Sequence, residues 1–317
     1  MFVTIGGMTP ATLIGVPLDL GAENLGVDVG PDAFRYQDLI KKLASAGLEV
    51  EDAGNIEVGK RADLSVGDLR LRYLDEIVRV NEALATQVET AIKAGRKVIV
   101  LGGDHSLNLG TVAGASTAVD GKIGQVYLDA HGDMNTDEST LTGNIHGMHL
   151  ASLMGFGAPA LAQAYGNQVK LPKENLLHIG GCDLDQAEID LIARENLEAF
   201  TMLDLMKYGM APLLEKIDAL AAKAPNVWVS LDLDAIDKVY APGAGMPNPK
   251  GLTYREVVAI AEYVGQKCNV IGLDVVEYNP LQDIDRKTAE LGTELIATFL
   301  GKQYSWYSGY LEQNKLD

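Results

Sequence analysis

The sequence predicts an α/β protein of three layers (α/β/α), with a mostly parallel central sheet covered by helices on both faces. Three observations carry that prediction. Short apolar runs rich in Val, Ile and Leu recur along the chain, as they do in strands buried on both faces. Longer stretches of helical period stand between them. Hydrophobic residues are 47% and charged residues 22% of the 317, enough apolar material for a sheet and two helical layers.

Taken in order, strands are expected at Thr12–Val16, Lys97–Leu101, Ile123–Asp129, Asn175–Gly181, Val227–Asp232 and Val270–Asp274. Between the first two, Asp68–Ala94 places Leu69, Leu71, Leu74, Ile77, Val78 and Val80 at helical spacing and stops at Gly95, which predicts a long amphipathic helix. Thr253–Gly265 is a second helix, because Thr253 and Glu256 form a capping-box signature ahead of Val257, Val258, Ile260 and Ala261. No Pro/Ser-rich linker, low-complexity tract or fixed-period repeat breaks the alternation, so residues 1–317 are expected to form one domain. The Gly-rich stretches Gly15–Gly30 and Pro242–Gly251 contain neither GxGxxG nor GxxxxGK[ST] and are read as loops.

Lys and Arg number 26 against 44 Asp and Glu, a net charge of -18. Such a surface repels phosphate backbones and anionic lipid, so neither nucleic acid nor a membrane is an expected partner, and a small cation suits it. Two cysteines, Cys182 and Cys268, exclude a disulfide framework and a four-thiolate zinc site. Both lie in apolar strand-like contexts and are expected to be small buried hydrophobes. The first basic residue is Arg35, and no apolar run approaches the roughly 18 residues of a membrane span. A cytoplasmic location is expected.

The chemistry stands at the carboxyl ends of four expected strands, where open α/β sheets bind ligands. Gly103-Asp104-His105-Ser106 follows the second, and Asp129-Ala130-His131-Gly132-Asp133 the third. Asp232-Leu233-Asp234 ends the fifth, and Asp274-Val275-Val276-Glu277 the sixth. In extended chain every second side chain points the same way, which predicts Asp129, His131 and Asp133 on one side and Asp232 with Asp234 on another. His105, Asp129, His131, Asp133, Asp232 and Asp234 together bring four negative charges and two neutral imidazoles. Burying them uncompensated costs on the order of several kcal/mol per charge, and two divalent cations would balance them. Carboxylates with two imidazoles suit Mn²⁺ first, with Fe, Co, Ni or Zn possible, whereas Ca²⁺ and Mg²⁺ seldom take imidazole.

These segments together resemble the ureohydrolase family of binuclear manganese hydrolases, which includes arginase, agmatinase and formimidoylglutamase. Gly26-Val27-Asp28-Val29-Gly30-Pro31 and Gly251-Leu252-Thr253-Tyr254-Arg255-Glu256 add to the three metal motifs, and the likeness runs from about Leu13 to Thr298. It implies an arginase-like fold and two Mn²⁺ per chain. His105, Asp129, Asp133 and Asp232 would hold one ion, and Asp129, His131, Asp232 and Asp234 the other. A hydroxide shared by the ions would attack the carbon of a guanidinium or amidine, Asp133 accepting its proton. By the same resemblance His146 is the proton shuttle to the leaving amine, and Glu277 pairs with the guanidinium. Trimers or hexamers are the implied homo-oligomers.

Within the family the substrate's tail decides the enzyme. Asn135, Thr140, Thr142 and Asn144 resemble the arginase positions that hydrogen-bond an α-carboxylate, and Asp185 and Glu188 the two acids that receive an α-ammonium. The leading expectation is therefore hydrolysis of L-arginine to L-ornithine and urea. Three positions depart from the arginase pattern. Gly243-Ala244-Gly245-Met246-Pro247 replaces a loop with two threonines, Cys182 stands where an arginine precedes the first acid, and Lys238 replaces a proline. A thioether cannot donate the hydrogen bond a hydroxyl would, so Met246 leaves agmatine, a guanidino acid or a formimidoyl compound as alternative substrates. A non-catalytic metal-binding homologue and a metallophosphoesterase are the readings from other classes, and the missing basic phosphate clamp opposes the second. His149 and His178, without motif partners, are read as structural or surface residues, and Tyr278 and Asn279 as support for the turn after Glu277.

Overall fold

The computed structural model describes residues 8–166 and 169–302. Eight strands, β1 (Thr9–Val16), β2 (Leu48–Asn55), β3 (Lys97–Gly102), β4 (Gly124–Leu128), β5 (Leu176–Ile179), β6 (Ala199–Phe200), β7 (Val227–Asp232) and β8 (Val270–Val276), form one sheet. Every pairing is parallel, in the order β2-β1-β3-β8-β7-β4-β5-β6. The chain lays down β1 to β3 on one side, crosses to β4, β5 and β6 on the other, and closes the gap with β7 and β8. The four central strands, β3, β8, β7 and β4, therefore flank the place where strand order reverses, the crevice where such sheets bind ligands.

Alternation along each strand feeds two cores. Ile99, Leu101, Val126, Leu128, Val229 and Leu231 face one side, where the helices Ala211–Lys223, Tyr254–Lys267 and Lys287–Phe299 cover them. Val98, Val100, Tyr127 and Trp228 face the other, under the helices Leu74–Lys93 and Asn108–Ala118. This is the expected three-layer α/β/α architecture, and all six expected strands are present.

Three local differences have physical causes. β2 pairs with β1 at the sheet edge with only Leu48 buried, so it lacks the apolar run that marks the inner strands, and β6 is too short to show a pattern. The helix expected from Asp68 starts at Leu74. Tyr73 takes a left-handed backbone (φ 55°), and the preceding turn bonds outward, Arg72 N–H donating to the Gly143 carbonyl at 3.1 Å. Leu69, part of the expected apolar stripe, is 74% exposed. Cys182 is only half-buried, its sulfur accepting from Asn248 Nδ2 at 3.3 Å, whereas Cys268 is buried as expected.

The helix Asn108–Ala118 gives no amphipathic signal because residues 108–116 are buried on every side. At Gly114 a Cβ would meet the Ala85 carbonyl oxygen at 2.3 Å, so the absent side chain lets this helix lie against Leu74–Lys93.

Candidate metal centre and substrate site

Past the strand ends the chain turns, and the every-second-residue argument gives way to a different geometry. Asp104 Oδ1, Asp129 Oδ1 and Asp232 Oδ1 each accept the backbone N–H two residues ahead, from Ser106 (2.9 Å), His131 (2.7 Å) and Asp234 (2.8 Å). These turns fix one carboxylate oxygen; the second of Asp129 and of Asp232 faces His105, and that of Asp104 accepts the Gly21 N–H at 2.8 Å. Asp133 and Glu277 reach the site from left-handed backbone, φ 50° and 60°, a conformation that non-glycine residues hold only where their surroundings enforce it. The Asp133 carbonyl takes the Leu150 N–H at 3.2 Å, and the Glu277 N–H donates to the Gly103 carbonyl at 2.8 Å.

Two adjoining clusters result. His105 Nδ1 lies 3.0 Å from Asp129 Oδ2, 3.2 Å from Asp232 Oδ2 and 3.3 Å from Asp133 Oδ2. His131 Nδ1 lies 3.1 Å from Asp234 Oδ2 and 3.5 Å from Asp129 Oδ1. Asp129 thus faces one cluster with each oxygen. His105, Asp129 and Asp232 form one group able to hold a metal ion, and Asp129, His131 and Asp234 another; His105, Asp133 and His149 form a third that overlaps the first. His149 is fully buried.

Hydrogen bonds behind His105 assign its tautomer. Asp274 accepts from Trp228 Nε1 (2.6 Å), Thr111 Oγ1 (2.8 Å), Asn108 Nδ2 (2.9 Å) and the Ser230 hydroxyl. With its proton given to Asp274, Ser230 Oγ accepts from His105 Nε2–H at 2.8 Å. In the neutral imidazole the lone pair is then on Nδ1, facing three carboxylate oxygens that are themselves only acceptors. Such a set fits a cation, and the imidazole held by a hydroxyl and carboxylate behind it is the support that metal-ligating histidines receive.

The electrostatics agree. Burial pushes Asp234 up to about 6 and Asp232 well above the carboxylate range, neighbouring aspartates adding to it. Burial works the same way on Asp129, but hydrogen bonds with His105 and His131 hold it well below its ordinary value. Burial opposes charge on His105 and His131, and the surrounding aspartates override it and raise both. Protons on the imidazoles take the place of the positive charge that metal ions would bring.

His146 Nδ1 sits 3.4 Å from Glu277 Oε1, and the same oxygen accepts the His105 backbone N–H at 3.1 Å. Burial disfavours the charged imidazole, yet the Glu277 carboxylate carries its pKa up to about 9. That pairing favours the protonated imidazole, the form a proton donor needs.

Asn135 Nδ2 donates to Asp185 Oδ2 at 2.7 Å, joining two of the expected substrate contacts. Asp185 and Glu188 cap the helix Gln186–Glu195 in a reciprocal box, a D-x-x-E signature readable in the sequence. Glu188 is buried, and its oxygens accept from Met134 N–H (3.1 Å) and Asp185 N–H (3.0 Å), so it shapes the loop while Asp185 stays exposed. Burial pushes Glu188 up to about 7. Thr140 Oγ1 accepts from Gly143 N–H (2.9 Å) and Thr142 Oγ1 from Asn144 N–H (3.2 Å), which leaves each hydroxyl proton to be donated elsewhere. Asn144 is buried beside them. Met246 lines a cavity of about 430 Å³ together with His131, Asp183, Asn248 and Lys250.

Comparison with known proteins decides the family. The model of the arginase family matches residues 9–301. The chain belongs to the arginase family. The arginase of Bacillus caldovelox is 40% identical over 298 residues, 93% of this chain and 99% of its own, and that of Brevibacillus brevis 40% identical over 92% and 97%. The native B. caldovelox arginase structure superposes with a TM-score of 0.89 at 39% identity, covering 94% of this chain and all of the other. An Entamoeba histolytica arginase solved with L-ornithine gives 0.85 at 29% identity over 93% and 99%. This arginase-family protein is accordingly an enzyme, a hydrolase of carbon–nitrogen bonds in guanidino compounds.

Sequence reasoning places Asp274 at a strand end without giving it a task, and passes over Tyr127 and Ser230 in this protein. Both lie inside strands, and nothing local marks a strand residue that serves a site beyond the strand's end.

Proposed function

We propose that this protein is an arginase, hydrolysing L-arginine to L-ornithine and urea with two Mn²⁺ per chain. The observation that carries the reading is the pair of clusters sharing Asp129, with the His105 lone pair turned into them. His105, Asp129, Asp133 and Asp232 would hold one ion, and Asp129, His131, Asp232 and Asp234 the other. Two such ions supply compensating charge and the Lewis acidity that makes water nucleophilic near neutral pH.

The chain's own residues do the rest. Glu277 receives the guanidinium through paired charge-assisted hydrogen bonds. Asp133 Oδ2 takes the proton of the attacking water, and His146 gives the Nδ1 proton that Glu277 stabilises to the departing amine. At the other end Asn135, Thr140, Thr142 and Asn144 bind the α-carboxylate, the two threonines through hydroxyl protons their own contacts leave unused. Asp185 offers its carboxylate to the α-ammonium, with Glu188 holding the loop beneath it. We further propose a cytoplasmic homo-oligomer, a trimer or hexamer, built of a single domain over residues 1–317; the two free cysteines fit a reducing compartment.

Met246 favours a second reading within the family, because a thioether at the cavity mouth suits a guanidino or formimidoyl substrate with a less polar contact. Urea release by the manganese-loaded protein over L-arginine, agmatine, 4-guanidinobutyrate and formimidoylglutamate, with formamide assayed for the last, separates the two. Arginine is expected to have the highest kcat/KM; a higher value for any of the others would replace it as the substrate.

A further inference from the structure

We infer that Tyr127 is a positioning residue for the metal centre, its hydroxyl aligning the Asp129 and Asp133 carboxylates toward His105; the inference rests on the metal-centre reading above. Tyr127 is fully buried in β4, one residue before the strand ends. Its ring stacks on His105, centroids 4.9 Å apart and planes 7° from parallel, and lies 5.5 Å from His178 on another side. The hydroxyl emerges among site groups: Asp133 Oδ2 at 2.7 Å, Asp129 Oδ2 at 2.8 Å, His105 Nδ1 at 3.1 Å and His149 Nε2 at 3.2 Å.

Proton accounting shows what it does there. In the neutral form that a metal ligand must take, His105 Nδ1 carries a lone pair, because Nε2–H is given to Ser230. His149 Nδ1 lies 2.6 Å from the His146 carbonyl, to which it donates, so His149 Nε2 also carries a lone pair. With His105 in that form the phenol is the one donor among these four acceptors, and its proton belongs to the two carboxylate oxygens, which are also the nearest.

That proton matters most for Asp133. Asp129 is oriented by the turn it caps, but Asp133 sits in left-handed backbone and gains no such turn. The Tyr127 O–H tethers the carboxylate and the Leu150 N–H tethers its peptide. A phenylalanine would fill the same space among the aromatic rings. A buried hydroxyl is costly in a core unless bonded, and every bond this one makes goes to the candidate centre. Removing such a support from a metal site typically weakens the metal by about 10–100-fold.

The test is Tyr127→Phe in the full chain, stripped with EDTA and titrated with MnCl₂ while free Mn²⁺ is followed by its EPR signal. Wild type is expected to take up two ions, and the variant to bind the tighter one about 10–100-fold more weakly. The metal-free melting temperature and, at saturating manganese, the KM for arginine are expected to be unchanged. Uptake by the variant with wild-type affinity would overturn the inference and leave the metal centre standing; no uptake by wild type would overturn the centre itself. A weaker affinity that merely accompanies a large fall in metal-free melting temperature would make Tyr127 a packing residue, which also overturns it. Should the stripped variant fail to fold, the rate of manganese loss from loaded protein into excess EDTA replaces the titration. Faster loss by the same factor is then the supporting result and an equal rate the contrary one.

Discussion

Asp129 is the residue on which both clusters depend, because each of its oxygens faces a different histidine. Asp129→Asn removes the shared charge, and turnover is expected to drop by about 10³-fold or more, since metal activation supplies several kcal/mol. Metal analysis by mass spectrometry would show fewer than two ions per chain, and retention of both would contradict the shared role. Protons follow from the same geometry. The aspartates around His105 and His131 raise both imidazoles above their ordinary value of 6.5 against the effect of burial, so a metal ion taking these nitrogens near pH 7 must displace protons. Manganese loading at pH 7 is expected to release on the order of one to two protons, and affinity to rise with pH across the neutral range. A pH-indicator titration in weak buffer measures both, and a pH-independent affinity would show that the histidines are not ligands. At Met246, substitution by Thr restores a hydroxyl to the cavity wall and is expected to raise the ratio of kcat/KM for arginine over agmatine by about 3-fold to 10-fold, the worth of one neutral hydrogen bond. An unchanged ratio would show that Met246 does not select the substrate.

Among the elements, the loop that carries Asn135 to Asn144 is held from outside. Gly143 is left-handed (φ 74°), and a Cβ there would meet the Leu69 carbonyl oxygen at 1.8 Å. The turn at residues 68–73 therefore serves as a brace, Arg72 bonding the Gly143 carbonyl and Arg70 the Glu138 carbonyl. Gly143→Ala is expected to push loop and brace apart, raising KM for arginine several-fold while manganese stoichiometry stays at the wild-type value. Steady-state kinetics beside a metal assay check this, and an unchanged KM would remove the loop from substrate binding. The brace also explains why the helix begins at Leu74. Helical periodicity from Asp68 onward is real, but a local pattern does not register that a distant glycine claims the backbone of the first turn. Where no such claim exists the signal and the element agree, as at Thr253, whose side chain caps Tyr254–Lys267 with Glu256 answering it.

For the whole molecule, the metal centre joins the ends of β3, β4 and β7, so ions bound there tie together segments far apart in the chain. Stripping manganese is expected to lower stability by about 4 kcal/mol for each ion relative to protein held at 1,000 times the dissociation constant, a fall in melting temperature of roughly 6 °C per ion for a chain of this size. Differential scanning calorimetry with and without EDTA measures it, and equal melting temperatures would mean that the ions are not bound in the folded core. The six inner strands are legible in the sequence, because buried parallel strands must be apolar throughout, and so are the acids and histidines that the fold gathers into groups able to hold a metal ion. β2 and β6 are not, since an edge strand needs no apolar run and two residues make no period. Nor is the support behind these residues: Ser230 and Asp274 reach His105 from other strands, and Tyr127 meets Asp129 and Asp133 only because the chain turns back past the end of β4.

The chain's composition and motifs by themselves determined the layered fold, the kinship and which acids and histidines are candidates for the chemistry, because these depend on residue type and short-range spacing. Only the tertiary structure decided how those side chains face one another: which nitrogen of His105 carries the lone pair, how Asp129 meets two histidines at once, and that Glu188 braces while Asp185 is offered. The reason is physical. Ligand geometry is set by hydrogen bonds and turns among strands that are neighbours in the sheet and strangers in sequence, and no local pattern encodes a contact whose partner lies a hundred residues away.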